Sequence, residues 1–111
     1  ASLHMCGKTY KIWGYLRQYR LNELSLDHVI HMERAVRELG GHIPIAGNVD
    51  PVDIILYGTK QQITDAVHDC IRTGIHSEKG FTLTTGCDIP ERTRPEQIDH
   101  FMEAARTYMY L

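Results

Sequence analysis

His4, Cys6 and Cys87 are the side chains with the most chemistry to offer. His4 and Cys6 stand two positions apart in Leu3-His4-Met5-Cys6-Gly7, and an extended strand turns residues i and i+2 to one face. Cys87 stands in GFTLTTGCDIP, Gly80 to Pro90, another short run of apolar and β-branched residues that ends in a Gly-flanked turn carrying a cysteine. Both stretches read as strand ends that present side chains at one rim. One imidazole and two thiols suit Zn²⁺ and leave its fourth position open, which is the pattern of a catalytic zinc. Spacing alone also allows a plainer reading. A His-x-Cys with one distant cysteine is a weaker signal than a Cys-x-x-Cys pair, and two small core cysteines beside a solvated His4 would look the same.

Other polar groups fall at comparable places. Asp27 follows a strand-like run, Asn48 and Asp50 follow another, and Asp88 follows Cys87. Asp27 also stands where a helix N-cap belongs, and Asn48-x-Asp50-Pro51 has the composition of a turn. Cys70 lies on the apolar face of a helical stretch and reads as core filler, since free cysteine is commonly buried. His28, His31, His42, His68, His76 and His100 share no ligand spacing and read as solvated or rim residues.

The elements that must position these groups alternate. Ala1 to Cys6 is a strand candidate closed by Gly7, followed by a helix from Thr9 to Tyr19 with Ile12, Trp13, Leu16 and Tyr19 at helical spacing. Asn22 to Leu26 is the second strand. Asp27 then caps a helix from His28 to Leu39, striped by Val29, Met32, Val36 and Leu39 and stopped by Gly40-Gly41. His42 to Ala46 is the third strand, ending in the turn Gly47 to Pro51, with a short helix over Val52 to Leu56. Thr59-x-x-Gln62 is a capping-box pattern that opens a helix from Lys60 to Thr73, with Ile63, Ala66, Val67, Cys70 and Ile71 on its buried face. Phe81 to Thr85 is the fourth strand. The last helix opens at Thr93-x-x-Glu96 with Pro95 in its first turn, and its stripe is Ile98, Phe101, Met102, Ala105 and Met109.

Four successive β/α units call for an α/β fold with a parallel sheet and helical crossovers. Every predicted strand delivers polar or metal-capable groups at its C-terminal end, and convergence at that rim is the habit of the (β/α)₈ barrel, of which four units are half. The 111 residues suit one domain, 1–111. Twelve Lys and Arg against 14 Asp and Glu, with no long run of either sign, leave no electrostatic footprint for nucleic acid or an anionic membrane. No apolar stretch reaches the roughly 18 residues of a membrane span and the first residues lack the pattern of a signal peptide, so a cytoplasmic location is expected. Three cysteines at uneven spacing make no disulfide framework.

The strings GNVDPVDIILYGTKQQI and FTLTTGCDIPERTRPEQIDHFMEAA resemble the C-terminal half of the uroporphyrinogen decarboxylase superfamily, a (β/α)₈ barrel. Within it, LHMCG and TTGCDIP look like the methylcobalamin:coenzyme M methyltransferase branch. The resemblance is specific at His4-x-Cys6, at Gly47-Asn48-x-Asp50-Pro51 and at Gly86-Cys87-Asp88-Ile89-Pro90. It implies a zinc site at His4, Cys6 and Cys87, where a thiol such as coenzyme M accepts a methyl group from a corrinoid protein. It also implies a catalytic rim of Asp27, Asn48, Asp50 and Asp88, with Asp27, Asn48 or Asp88 steadying the second ring nitrogen of His4. In the decarboxylases the position of Cys87 is typically a histidine in a Gly-His-Gly setting without metal, so the chain departs toward the thiol methyltransferases.

Family enzymes are considerably longer, and the resemblance implies a half-barrel fragment. An isolated half barrel would leave open sheet edges and an uncovered inner face, so a partner is expected, either the missing N-terminal half or a second copy that brings Cys87 of one chain to His4 and Cys6 of the other. Two further functions stay open at this level. One is a metal-free tetrapyrrole-binding half in which rim groups orient carboxylates, and the other is a catalytically silent binding or assembly module.

Overall fold

Four short segments rich in Leu, Ile, Val and Thr form the strands, and each is followed by helix. In the computed structural model, which describes residues 1–108, β1 is Ser2–Met5, β2 Glu23–Leu26, β3 Ile45–Val49 and β4 Phe81–Thr85. The helices are α1 (Trp13–Leu16, preceded by a 3₁₀ turn at Tyr10–Ile12), α2 (Met32–Leu39), α3 (Lys60–Gly74) and α4 (Pro95–Thr107), with a π-helical turn at Pro51–Leu56. The strands lie in the order β1-β2-β3-β4 and every pair is parallel, so the expected α/β architecture of consecutive β/α units is present.

One face of the sheet is apolar and covered by helices. Leu24, Leu26 and Ile45 are fully buried there, together with Leu39 of α2 and Ile63 and Val67 of α3. Burial of each such side chain contributes about 1.5–3 kcal/mol. The opposite face carries His4, Ser25, Ala46 and Thr82, which the register aligns across the four strands. Gly74 closes α3 against β4: a Cβ there would stand 2.5 Å from the Phe81 ring, so the absent side chain is what permits the contact.

Local competition moved several predicted boundaries. The first helix is one turn rather than Thr9 to Tyr19. Trp13 is buried and its indole N–H donates to Thr9 Oγ1 at 3.0 Å, but Ile12 and Tyr19 are exposed, and a short segment containing Gly14 propagates poorly. Asp27 does not cap α2. That helix starts at Met32 behind His31, which offers no side-chain cap, and residues 28–30 form a turn that buries Ile30 and leaves Val29 exposed.

The third strand also sits further along than His42 to Ala46. His42 and Ile43 donate their amides to Leu39 O and complete the turn after α2, whereas Gly47, Asn48 and Val49 pair with Leu83, Thr84 and Thr85. A five-residue ladder outweighs the turn preference of Gly-Asn. The Gly47–Asn48 peptide bond is cis.

The capping box at Thr59 and Gln62 forms as expected, with Gln62 N donating to Thr59 Oγ1 at 3.2 Å and Thr59 N to Gln62 Oε1 at 2.8 Å. The one expected at Thr93 does not form. Arg94 is the N-cap of α4, and the buried Thr93 hydroxyl has no partner among the described residues. The stripe of α4 is rotated accordingly: Gln97 and Ala104 are buried, while Ile98 and Met102 are about 40% exposed. Met109, the last residue of the expected stripe, lies outside the described residues. Among the described residues, no helix is long and apolar enough to cross a membrane.

Candidate metal centre

In a flat four-stranded sheet the first and last strands lie three spacings apart, about 14 Å. Here the C-terminal ends of β1 and β4 curl toward each other, and Cys6 Sγ stands 4.0 Å from Cys87 Sγ and 3.4 Å from His4 Nε2. One donor atom from each of His4, Cys6 and Cys87 falls within 4.8 Å of the others. They converge within one chain, so joining them needs no second copy.

The chemistry of this donor set fits a divalent cation. His4 Nδ1 lies 2.8 Å from Ser25 Oγ, and a proton on Nδ1 shared with that hydroxyl leaves the Nε2 lone pair directed at the sulfurs. Cys87, by hydrogen bond and by charge, pushes the exposed Cys6 thiol above its ordinary value. Two thiolates at this separation repel, and a cation between them would remove that penalty. Beside the trio lies a cleft of about 410 Å³ lined by His4, Ser25, Thr84, Thr85, Cys87, Asp88 and Ile89. A larger cavity of about 540 Å³ between α2 and α3 shares none of these lining residues.

The other rim residues fall into two groups. Asp88 lines the cleft with His4 and Cys87. Asp27, Asn48 and Asp50 instead meet at the turn between β2 and α2, which Asp27 opens and the other two contact from β3 and the residue after it. Asp27 Oδ2 accepts from Gly7 N at 2.8 Å, while Oδ1 accepts from Val29 N at 3.2 Å and lies 2.9 Å from His28 Nδ1. Asn48 Nδ2 donates to Asp27 O at 3.0 Å and to Ile30 O at 2.8 Å. Asp50 caps the π-helical turn through Val52 N and Asp53 N, and its other oxygen is 3.6 Å from His28 Nε2. Burial raises the Asp27 pKa, but the hydrogen bonds from Gly7 and Val29 and the His28 ring outweigh it and hold the carboxyl below its usual value.

Three expectations change. Ser25, rather than Asp27, Asn48 or Asp88, takes the second nitrogen of His4, because Ser25 is the register partner of His4 on the next strand. A lone serine in a strand carries no sequence signal of that role. His28 is held between Asp27 and Asp50 rather than simply solvated, and His68 Nε2 lies 3.2 Å from Ala104 O. Cys70 is core, as expected. It is buried, accepts from Asn48 N at 3.3 Å, donates to Gly47 O at 3.2 Å, and burial pushes its pKa up to about 11.

Comparison with known proteins agrees with this architecture. The family model described as uroporphyrinogen decarboxylase (URO-D) matches residues 1–108. The methylcobamide:CoM methyltransferase MtbA of Methanosarcina mazei is 28% identical over 108 residues, covering 97% of this chain and 30% of that protein. A uroporphyrinogen decarboxylase of Hordeum vulgare is 33% identical over 87 residues, covering 78% of this chain and 25% of that protein. In structure, a methyltransferase from Methanosarcina mazei superposes with a TM-score of 0.85 at 21% identity, over 97% of this chain and 31% of the other, which places the four units as half of a (β/α)₈ barrel. The chain therefore spans about a third or less of the length of the relatives it matches. With its register, curl and rim in place, the chain belongs to the uroporphyrinogen decarboxylase family and matches the methylcobamide:CoM methyltransferase branch over nearly its full length.

Proposed function

We propose that this chain is the zinc-binding C-terminal half barrel of a thiol methyltransferase, with His4, Cys6 and Cys87 as ligands and a thiol such as coenzyme M and a methylated corrinoid protein as reaction partners. The observation that carries the reading is the convergence of Nε2 and two Sγ atoms at the ends of the two outermost strands. The methylcobamide:CoM methyltransferases among its relatives support the reaction class.

Zinc held by His4, Cys6 and Cys87 would supply a Lewis acid that favours deprotonation of a substrate thiol. The residues of the chain do the rest. Two thiolates and a neutral imidazole balance the charge of the ion, which keeps the accepting sulfur electron-rich. Ser25 holds the His4 ring in the tautomer that frees Nε2. The cleft past Cys87 is where the thiol substrate sits, with the Asp88 carboxylate at its edge. Asp27, Asn48 and Asp50 act from the neighbouring turn by holding the rim in place. The remaining strands of the barrel, supplied by an N-terminal half or by a second copy of this chain, close it over the polar face of the sheet.

Metal analysis of the purified chain together with thiol titration tests this reading. About one zinc per chain, with proton release on adding coenzyme M, is expected. A metal-free chain with Cys6 and Cys87 reduced and intact would overturn it. That result would favour the second reading, a metal-free tetrapyrrole-binding half, for which the identity to the barley decarboxylase is the specific support.

A further inference from the structure

The turn between β2 and α2 touches both cysteine-bearing loops. Asp27 Oδ2 accepts the amide of Gly7, the residue after Cys6. Immediately beside it, the backbone of His28 packs so closely on Gly86, the residue before Cys87, that a Cβ on Gly86 would lie 2.2 Å from His28 N. Asn48 ties the same turn down from β3 through Asp27 O and Ile30 O. Gly7 has φ +79°, a conformation open to glycine at little cost, so the Cys6 loop can fold back to present its N–H to the carboxylate.

We infer that Asp27 and the Gly86–His28 contact form a bracket that fixes the Cys6 and Cys87 sulfurs relative to each other, making Asp27 a positioning residue for the metal site. The bracket rests on the proposed zinc reading for its functional meaning, but its geometry can be read without metal. Asp27 uses both oxygens as acceptors, one for Gly7 and the other for Val29, with His28 Nδ1 2.9 Å from the latter oxygen. In Asp27→Asn one oxygen becomes an NH₂ group, which cannot accept, so either the Gly7 amide or the Val29 amide loses its acceptor and the turn that carries the bracket loosens. Gly86→Ala loosens the bracket from its other side by pushing against His28.

A metal-free ruler is the rate at which Cys6 and Cys87 form a disulfide. Two thiols give up two electrons and two protons to added hydrogen peroxide, which leaves as two waters, and the S–S bond closes from a separation of 4.0 Å. Peptide mapping follows this bond apart from buried Cys70. For Asp27→Asn we expect disulfide formation slowed about tenfold and zinc affinity, by chelator competition, lowered about ten- to a hundredfold, with the circular dichroism of the folded chain retained. A folded Asp27→Asn chain that matches the parent in both readouts overturns the bracket and leaves the zinc reading standing. Slowed disulfide formation in a chain that binds no zinc supports the bracket and removes the zinc reading. Should both variants fail to fold, amide exchange in the parent chain decides: a protected Gly7 N–H supports the bracket, and a freely exchanging one overturns it.

Discussion

Cys6 Sγ and Cys87 Sγ stand 4.0 Å apart although 81 positions of sequence separate them. Their strands occupy the two ends of the sheet, so this contact measures how far the sheet has curled. A closed or closing barrel wall brings such strands together, and a flat sheet does not.

On the proposed zinc reading, each donor is indispensable to the others. Cys87→Ser or His4→Ala should lower bound zinc from about one per chain to near background, measured by elemental analysis after gel filtration. Affinity should also fall as pH is lowered, because both thiols must lose their protons and Cys87 holds the Cys6 proton more tightly than usual. Retention of a full zinc by Cys87→Ser would place the ion elsewhere.

Ser25 is expected to act through His4. Ser25→Ala removes the 2.8 Å partner of Nδ1 and frees the ring to rotate or change tautomer. Zinc affinity should fall about ten- to a hundredfold with little change in folding stability, since Ser25 is only half-buried. Competition against a chromophoric chelator measures the first quantity and urea denaturation the second.

Cys70 makes stability depend on alkaline pH. Its folded-state pKa, about 11, is raised from 9.0 mainly by burial, with the Asn48 amide opposing. The unfolded chain therefore ionises first, and the contribution is complete below pH 9 and lost as pH rises toward 11. The loss should be roughly 2–3 kcal/mol, and Cys70→Ala should flatten that part of the profile in denaturant titrations at pH 8 to 11. An equal slope in parent and variant would assign the effect to other groups.

Gln97 holds α4 against the π-helical turn. Its buried Nε2 donates to Ile55 O and Gly58 O, both at 2.8 Å. Gln97→Leu keeps the bulk but leaves two buried carbonyls without that donor, and it should cost about 2–4 kcal/mol in urea unfolding. A loss below about 0.5 kcal/mol would mean that water reaches those carbonyls.

Much of the architecture was legible because local patterns act over a few residues. Phe81–Thr85 alternates and β-branches as a strand should, and Thr59 with Gln62 specifies its own cap. Misreadings arose where two local preferences met a longer-range partner. Gly47-Asn48 has turn chemistry, yet β4 draws it into the ladder, and Asp27 has cap chemistry, yet the amide of Gly7 claims it. In α4 the polar Gln97 faces inward because two carbonyls wait there, which no hydrophobic stripe can reveal.

By itself the sequence determined the alternation of strand and helix and placed a histidine and two cysteines at strand ends, since periodicity and turn residues act locally. Only the tertiary structure decided that those three side chains meet, that Ser25 orients His4 and that Asp27 spans to the Cys6 loop. Each of these depends on parallel register and on the curl of the sheet, and both are set by contacts between residues far apart in the chain.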